Sequence, residues 1–355
     1  GSENRRPLHV LHLGAGIFAR EAHYPVWKDL AEKGHVVNVG CWSRTQESAE
    51  RLAGMYGEGT ASFYGEEGRA KALAEDQVDA VVITLPINCL VEQARAAWMS
   101  HKHVLVEKPL AKDLAQARDI LETLLTPRPS APLYCVAENY RFEPGLHRAQ
   151  ELVARSCGKV LTATLLASLP FQEGSKYQAT QWRQESDHIG GVLLDAGVHF
   201  IAALRVVLRS NVISVVGSST HNIHHLAPAP DTLTAALTFA SGTVAGLNVT
   251  FGSTAYVMEL RIVGAEGHVS VKGQMRDGKP GFVVQLGDDG EPEWHERVGV
   301  RREIQEFVAR SRGDTTSAHP GFDHLEAYND LATIYALCKT PSTQVVVPPP
   351  PHLVP

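Results

Sequence analysis

The chain reads as an α/β protein of two domains, an N-terminal doubly wound parallel sheet followed by an α/β domain with an open, mainly antiparallel sheet. Three observations predict this. Strand-like and helix-like runs alternate from Leu8 to Ala137, the pattern of a parallel sheet with crossover helices. A glycine-rich turn, Gly14-Ala-Gly-Ile-Phe-Ala19, falls between the first strand and the first helix. Beyond Asn139 the period changes to alternating strands joined by hairpin turns. The expected boundaries are 1–138 and 139–355, with the C-terminal helix as an element that can pack back on the first domain, and 355 residues suffice for two domains.

Each element has its own reason. Leu8 to Leu13 is the first strand, the glycine turn follows, and a helix runs through Tyr24 to Lys33. Val36 to Cys41 is the second strand, and Ala49 to Tyr56 belongs to a second helix with Thr45 as its N-cap. Val78-Asp-Ala-Val-Val-Ile-Thr84 is the apolar run of a strand covered on both faces. Ile87, Leu90, Val91, Ala94 and Ala97 then share one helical face. His103 to Glu107 is a strand stopped by Pro109, Asp113 caps the next helix, and Leu133 to Ala137 closes the sheet. In the second domain a helix covers Leu146–Ser156, a strand Val160–Leu169, and a helix Val192–Leu208. Leu233, Ala235, Leu237 and Phe239 alternate up to Ser241-Gly242, and Val244–Thr250, Tyr256–Val263 and His268–Val271 continue the sheet. Leu325, Tyr328, Ala332 and Tyr335 mark a late helix.

Composition narrows the function. Hydrophobic residues make up 44% and charged residues 20%, ordinary for a globular protein. A net charge of −6 with no basic stripe argues against nucleic acid as a partner. No apolar run reaches the roughly 18 residues that cross a bilayer, so no membrane partner is expected. The polar opening Gly1 to Arg6 shows no leader pattern. The five cysteines, Cys41, Cys89, Cys135, Cys157 and Cys338, lack paired spacing, which fits a reducing, cytoplasmic compartment. Cys41, Cys89 and Cys135 sit among apolar neighbours and read as small core residues.

The glycine turn is the first chemical signal. In a dinucleotide-binding Rossmann turn, Gly14 permits the tight bend and Gly16 lets the backbone approach a pyrophosphate. Ala19 serves where only a small residue packs helix against strand. The pyrophosphate then meets free N–H groups at the helix N-terminus. At the end of the second strand an NAD site carries an acid for the ribose hydroxyls. This chain instead reads Ser43-Arg44, a hydroxyl and a guanidinium suited to a 2′-phosphate, so NADP(H) is the expected cofactor.

Two further sites follow. Lys108, in Glu107-Lys108-Pro109, stands at the carboxyl end of a buried strand, where α/β sheets place ligands. Asp195 and His199 lie at i and i+4 on one helical face, where the carboxylate can orient the ring for proton exchange near neutrality.

Together, Gly14-Ala-Gly-Ile-Phe-Ala19, Val106-Glu-Lys-Pro-Leu-Ala111, Asn139-Tyr-Arg-Phe-Glu-Pro-Gly145, and Trp182-Arg183 followed by Gly190-Gly-Val-Leu-Leu-Asp-Ala-Gly-Val-His-Phe-Ile201 resemble the glucose–fructose oxidoreductase/inositol dehydrogenase (Gfo/Idh/MocA) family over nearly the whole chain. The resemblance implies a reacting centre of Lys108, Asp195, His199 and a nicotinamide. It adds Ile17, Phe18, Thr84, Leu85, Pro86, Glu107 and Lys108 to the cofactor positions. It also places Tyr140, Trp182 and Arg183 with Lys108, Asp195 and His199 at the substrate. The second domain's sheet often makes the oligomer interface in this family, so a homodimer or higher homo-oligomer is expected.

Two departures leave the substrate open among sugars, diols, aldehydes and diketones. Leu85-Pro86-Ile87-Asn88-Cys89-Leu90 replaces the common Thr-Pro-Asn with its nearby histidine, and Ala202 stands where many members carry an aspartate. Family members also include a transcriptional repressor and nicotinamide-relay glycosidases. A non-catalytic sensor needs none of Lys108, Asp195 and His199, and a relay glycosidase cleaves glycosides without net NADPH consumption. No metal is expected. The histidines of Thr220-His-Asn-Ile-His-His225 have no Cys or carboxylate cluster to complete a set and read as a surface loop. Asp187-His188, in the loop before Gly190, reads either as the mouth of the substrate site or as a plainly exposed loop.

Overall fold

Leu8-His-Val-Leu-His-Leu13 buries nearly every side chain and forms the central strand β1 (Leu8–Leu13) of the first of two units. The structure is a computed structural model that describes residues 6–126, 130–171, 174, 176, 190–223, 229–314, 320–339 and 344–351. β1 pairs in parallel with β2 (Val36–Ser43) and β4 (Ala80–Ile83). With β3 (Ala61–Tyr64), β5 (His103–Glu107) and β6 (Tyr134–Ala137) the order is β3-β2-β1-β4-β5-β6, all parallel. This is the doubly wound arrangement, whose direction of winding reverses between β1 and β4.

The crossovers carry α1 (Tyr24–Glu32), α2 (Gln46–Tyr56), α3 (Gly65–Ala74), α4 (Ile87–Met99) and α5 (Leu114–Leu125). α4 buries Ile87, Leu90, Val91, Ala94 and Ala97, the face its spacing predicts, and adds Trp98. Thr45 is the N-cap of α2 in extended backbone, but its hydroxyl makes no capping hydrogen bond. β3 and α3 are additions to the sequence reading.

A buried histidine lies inside this unit. His12 is hydrogen-bonded through Nε2 to Asn38 Oδ1 at 2.8 Å and stacks on Tyr56, with ring centroids 4.8 Å apart. Burial pulls its pKa down to about 4, so the ring is neutral at pH 7.

The first unit comprises Gly1–Ala111, Ala115–Glu138 and Val300–Ala327. The last piece comes from the C-terminal part of the chain, beyond the 1–138 stretch expected for the first domain. The helix Gly299–Ser311 brings buried Glu303, Ile304, Phe307 and Val308 to the first unit.

In the second unit the helices are α6 (Pro144–Ser156), α7 (Gly191–Leu208) and, after α8 (Gly299–Ser311), α9 (His324–Lys339). Its strands are β7 (Val160–Ser168), β8 (Val212–Thr220), β9 (Thr232–Phe239), β10 (Val244–Thr250), β11 (Val257–Gly264), β12 (His268–Arg276), β13 (Lys279–Leu286), β14 (Glu293–Glu296) and β15 (Val345–Val346). Among the described residues they form one sheet, β14-β13-β12-β11-β7-β10-β9-β8-β15. It is antiparallel except for the β7–β10 pair. Leu233, Ala235, Leu237 and Phe239 are buried while Thr234 and Ala236 are exposed, the one-faced alternation of such a sheet.

Against the expectation that no run is long enough, α7 passes by length and composition for a membrane-crossing helix, but it is mostly buried as a core helix. Arg205 on this helix and Arg141 both pair with Asp330 of α9, all three nearly inaccessible. Cys41 and Cys135 are buried, as expected, and so are Cys157 and Cys338. Cys89 is only half-buried.

Candidate active site

Parallel pairing brings the carboxyl ends of β1, β2, β4 and β5 to one edge of the first sheet. Leu13 lies beside Trp42 and Ile83, and Ile83 beside Val106. Gly14, Ser43, Thr84 and Lys108 each lie just past, or at the last residue of, one of these strands. Four separate sequence signals therefore share one edge.

Gly14 adopts φ +108°, and a Cβ there would meet the Thr84 carbonyl oxygen at 2.5 Å. Its N–H donates to the Trp42 carbonyl at 2.9 Å, and its own carbonyl accepts from Thr84 Oγ1 at 3.2 Å. The turn is thus tied to both neighbouring strands. Gly16 is exposed, and a Cβ on it would have no atom within 4 Å. Ala15 and Ala19 pack with Cys41, Leu52 and Ala53, where a larger side chain would part helix from sheet.

Helical backbone begins at Ile17 and passes through a π segment, Ala19–His23, before α1. Such insertions are frequent at functional sites. Arg20 also bonds the Ala15 carbonyl and braces the turn. The open space at Gly16 and the helix N-terminus suit a dinucleotide pyrophosphate. Ile17 and Phe18 are half-exposed beside it, as are Thr84, Leu85 and Pro86 after β4. At the end of β2, Ser43 is half-buried and Arg44 exposed.

β5 ends in Glu107, and Lys108, half-exposed, is joined to Pro109 by a cis peptide. The Glu107 carboxylate is buried and accepts a hydrogen bond from His23 Nε2 at 2.9 Å. Glu303 completes a cluster whose ligand-type atoms lie within 4.8 Å of one another. Glu107 therefore serves as a link within the first unit, from the π segment through His23 to the strand that carries Lys108. His23 and Glu303 belong to no motif and carry no signal in the sequence.

In the second unit, Asp195 and His199 lie one turn apart on α7, the carboxylate buried and the imidazole half-buried. Tyr140, in a single 3-10 turn (Asn139–Phe142), stacks on the His199 ring with centroids 4.8 Å apart and planes at 16°. The Arg297 guanidinium lies 4.9 Å over the Tyr140 ring. Glu143 accepts from Arg297 Nε at 3.4 Å and from the Val298 amide at 3.1 Å. Burial pushes the Glu143 carboxyl above its ordinary pKa, against the pull of Arg297 and the backbone donors. Glu143 had a signal in the Tyr-Arg-Phe-Glu-Pro motif, whereas Arg297 had none.

Trp182, Arg183, Asp187, His188, His224 and His225 lie outside the described residues. His221 is bonded through Nδ1 to the Ala229 carbonyl at 2.8 Å.

Known proteins share this architecture. Residues 8–126 match the oxidoreductase family with an NAD-binding Rossmann fold, and residues 146–270 match the GFO/IDH/MocA C-terminal domain. The chain belongs to the Gfo/Idh/MocA oxidoreductase family. This Gfo/Idh/MocA oxidoreductase is 30% identical to the dehydrogenase FPY6 of Fusarium mangiferae, over 92% of this chain and 94% of that one. It is 34% identical to a D-xylose 1-dehydrogenase (NADP(+)) of Haloferax volcanii, over 47% of this chain and 48% of that one. A solved oxidoreductase from Thermotoga maritima superposes with a TM-score of 0.82 at 26% identity, covering 96% of this chain and 99% of that one. The first unit is accordingly a nicotinamide-dinucleotide-binding domain.

Proposed function

We propose that this oxidoreductase uses NADP(H) and acts on an alcohol or carbonyl of a small polar molecule: a sugar, diol, aldehyde or diketone. The observation that carries the cofactor choice is at the end of β2. Half-buried Ser43 is followed by exposed Arg44, and a guanidinium pairs with a 2′-phosphate where a carboxylate would repel it. The partial match to an NADP(+)-dependent xylose dehydrogenase agrees with this.

A bound nicotinamide supplies or accepts the hydride. This chain's residues handle the oxygen of the reacting carbon, which must gain or lose a proton. Lys108 donates a hydrogen bond to that oxygen and stabilises negative charge developing on it. His199 exchanges the proton, and buried Asp195 lies one turn earlier on α7. Chemical roles for Lys108, Asp195 and His199 favour turnover over a purely sensing function. The test is NADPH oxidation or NADP⁺ reduction across sugars, diols, aldehydes and diketones. Turnover on at least one of them supports the reading, and glycoside cleavage without net NADPH consumption replaces it with the relay chemistry.

Assembly belongs to the same proposal. The second sheet presents Leu166, Val216 and Val244, each more than 40% exposed, among the exposed or half-exposed small residues Thr164, Gly246 and Ala236. Exposed apolar side chains on a sheet face suit a symmetric partner, so we propose a second copy there. Light scattering that finds a monomer at micromolar concentration removes the dimer. Free, mostly buried cysteines suit a reducing cytoplasm.

A further inference from the structure

Tyr140 was assigned to the substrate by its place in the Tyr-Arg-Phe-Glu-Pro motif. Its surroundings point elsewhere. The side chain is buried, at 4% exposure, and it is enclosed by rings. Phe200 meets it edge-on at 6.3 Å between centroids, and Phe282 does the same at 6.1 Å. His199 stacks nearly parallel on it at 4.8 Å, and the Arg297 guanidinium lies over it at 4.9 Å. The guanidinium also covers Phe282 at 5.5 Å.

Arg297 is itself held. Glu143, nearly inaccessible, accepts from its Nε and from the next backbone amide. Gly145 keeps Phe282 close, because a Cβ there would approach the Phe282 Cβ to 2.7 Å. His199 remains half-buried, so the stack engages one side of a ring that keeps accessible surface.

We propose that Tyr140, clamped by Arg297 and Glu143, is a positioning residue that fixes the plane of the His199 imidazole. The inference rests on His199 as the proton carrier, the role proposed above. A histidine on a helix can otherwise sample several χ1 and χ2 settings, and only some aim a ring nitrogen at the reacting oxygen. A stacked aromatic pair biases such an equilibrium by roughly two- to tenfold. The ring provides this bias, so Tyr140→Phe, which keeps the ring, separates its role from that of the hydroxyl.

The test compares Tyr140→Phe, Tyr140→Leu and His199→Ala in the full chain. The readouts are kcat, KM, NADPH affinity and the ring-proton shifts of His199 by NMR. Tyr140→Phe is expected to keep kcat within about twofold. Tyr140→Leu is expected to lower kcat roughly two- to tenfold, with KM and NADPH affinity little changed. Loss of the ring current moves the His199 ring protons downfield in the leucine variant and not in the phenylalanine one.

If Tyr140→Leu does not fold, Tyr140→Met, which fills similar space with a flexible side chain, takes its place. Wild-type kcat in the leucine or methionine variant beside a slow His199→Ala overturns the positioning role alone. An equal loss in Tyr140→Phe also overturns it, making the hydroxyl the active group. Wild-type turnover in His199→Ala overturns the assignment of His199, and the positioning role falls with it.

Discussion

His23 Nε2 and Glu107 Oε1 are 2.9 Å apart within the first unit, both side chains almost fully withdrawn from water. The contact joins the π segment behind the glycine turn to the strand end that carries Lys108. Removing the imidazole by His23→Ala leaves the Glu107 carboxylate without this donor in a buried site. That should cost about 1–3 kcal/mol of stability, read as a lower urea midpoint. An unchanged midpoint would show that the contact contributes nothing.

The two glycines of the turn should fail in different ways. Gly14→Ala places a Cβ against the Thr84 carbonyl at a φ of +108°. It should therefore lose roughly 2 kcal/mol of stability or more. Gly16→Ala meets no protein atom, so its stability should match wild type. Its added methyl would intrude only on the dinucleotide, weakening NADPH binding by about 1–3 kcal/mol. Calorimetry of both variants with and without NADPH separates the effects.

Cofactor preference should follow Arg44. NADPH should bind more tightly than NADH, and Arg44→Ala should narrow the gap by roughly 1–3 kcal/mol. Equal dissociation constants for the two dinucleotides in the wild type would end the NADP(H) assignment.

His12 should make the protein acid-sensitive. Its folded pKa is about 4 against an ordinary 6.5, so between these values the unfolded chain binds the proton more readily. Stability is therefore retained above about pH 6.5 and lost as pH falls toward 4, by up to about 3 kcal/mol. His12→Gln retains a donor toward Asn38 without titrating in this range. Its melting temperature should fall less than the wild type's between pH 6.5 and 4.5, and identical slopes would exclude His12 as the cause.

How much of this was legible in the sequence depends on how local each signal is. Val78–Thr84 announced β4 because a strand covered on both faces is apolar at consecutive positions. β3 went unread because three of its four side chains are exposed and the other half-buried. α3, whose one buried residue is Ala72, has no apolar stripe to betray it. The glycine turn was readable because Gly14, Gly16 and Ala19 act within one bend. Of the company of His199, Tyr140 and Glu143 sit in one motif, but their stack and clamp did not show there, and Arg297 reaches them only through tertiary packing. That Val300–Ala327 is the piece that returns to the first unit has no local signal for the same reason. Buried Glu303 meets His23 and Glu107 in space, and its neighbours in sequence carry no motif.

The most direct test of the account is turnover by Lys108→Ala and His199→Ala on a substrate found in the panel, measured beside NADPH affinity. Both variants should lose about 10²–10⁴-fold in kcat, the usual contribution of general acid–base groups. NADPH binding should stay close to wild type in His199→Ala and fall far less than kcat in Lys108→Ala, since neither residue belongs to the glycine turn. Wild-type turnover in both variants would contradict the assignment of Lys108 and His199 to the reaction.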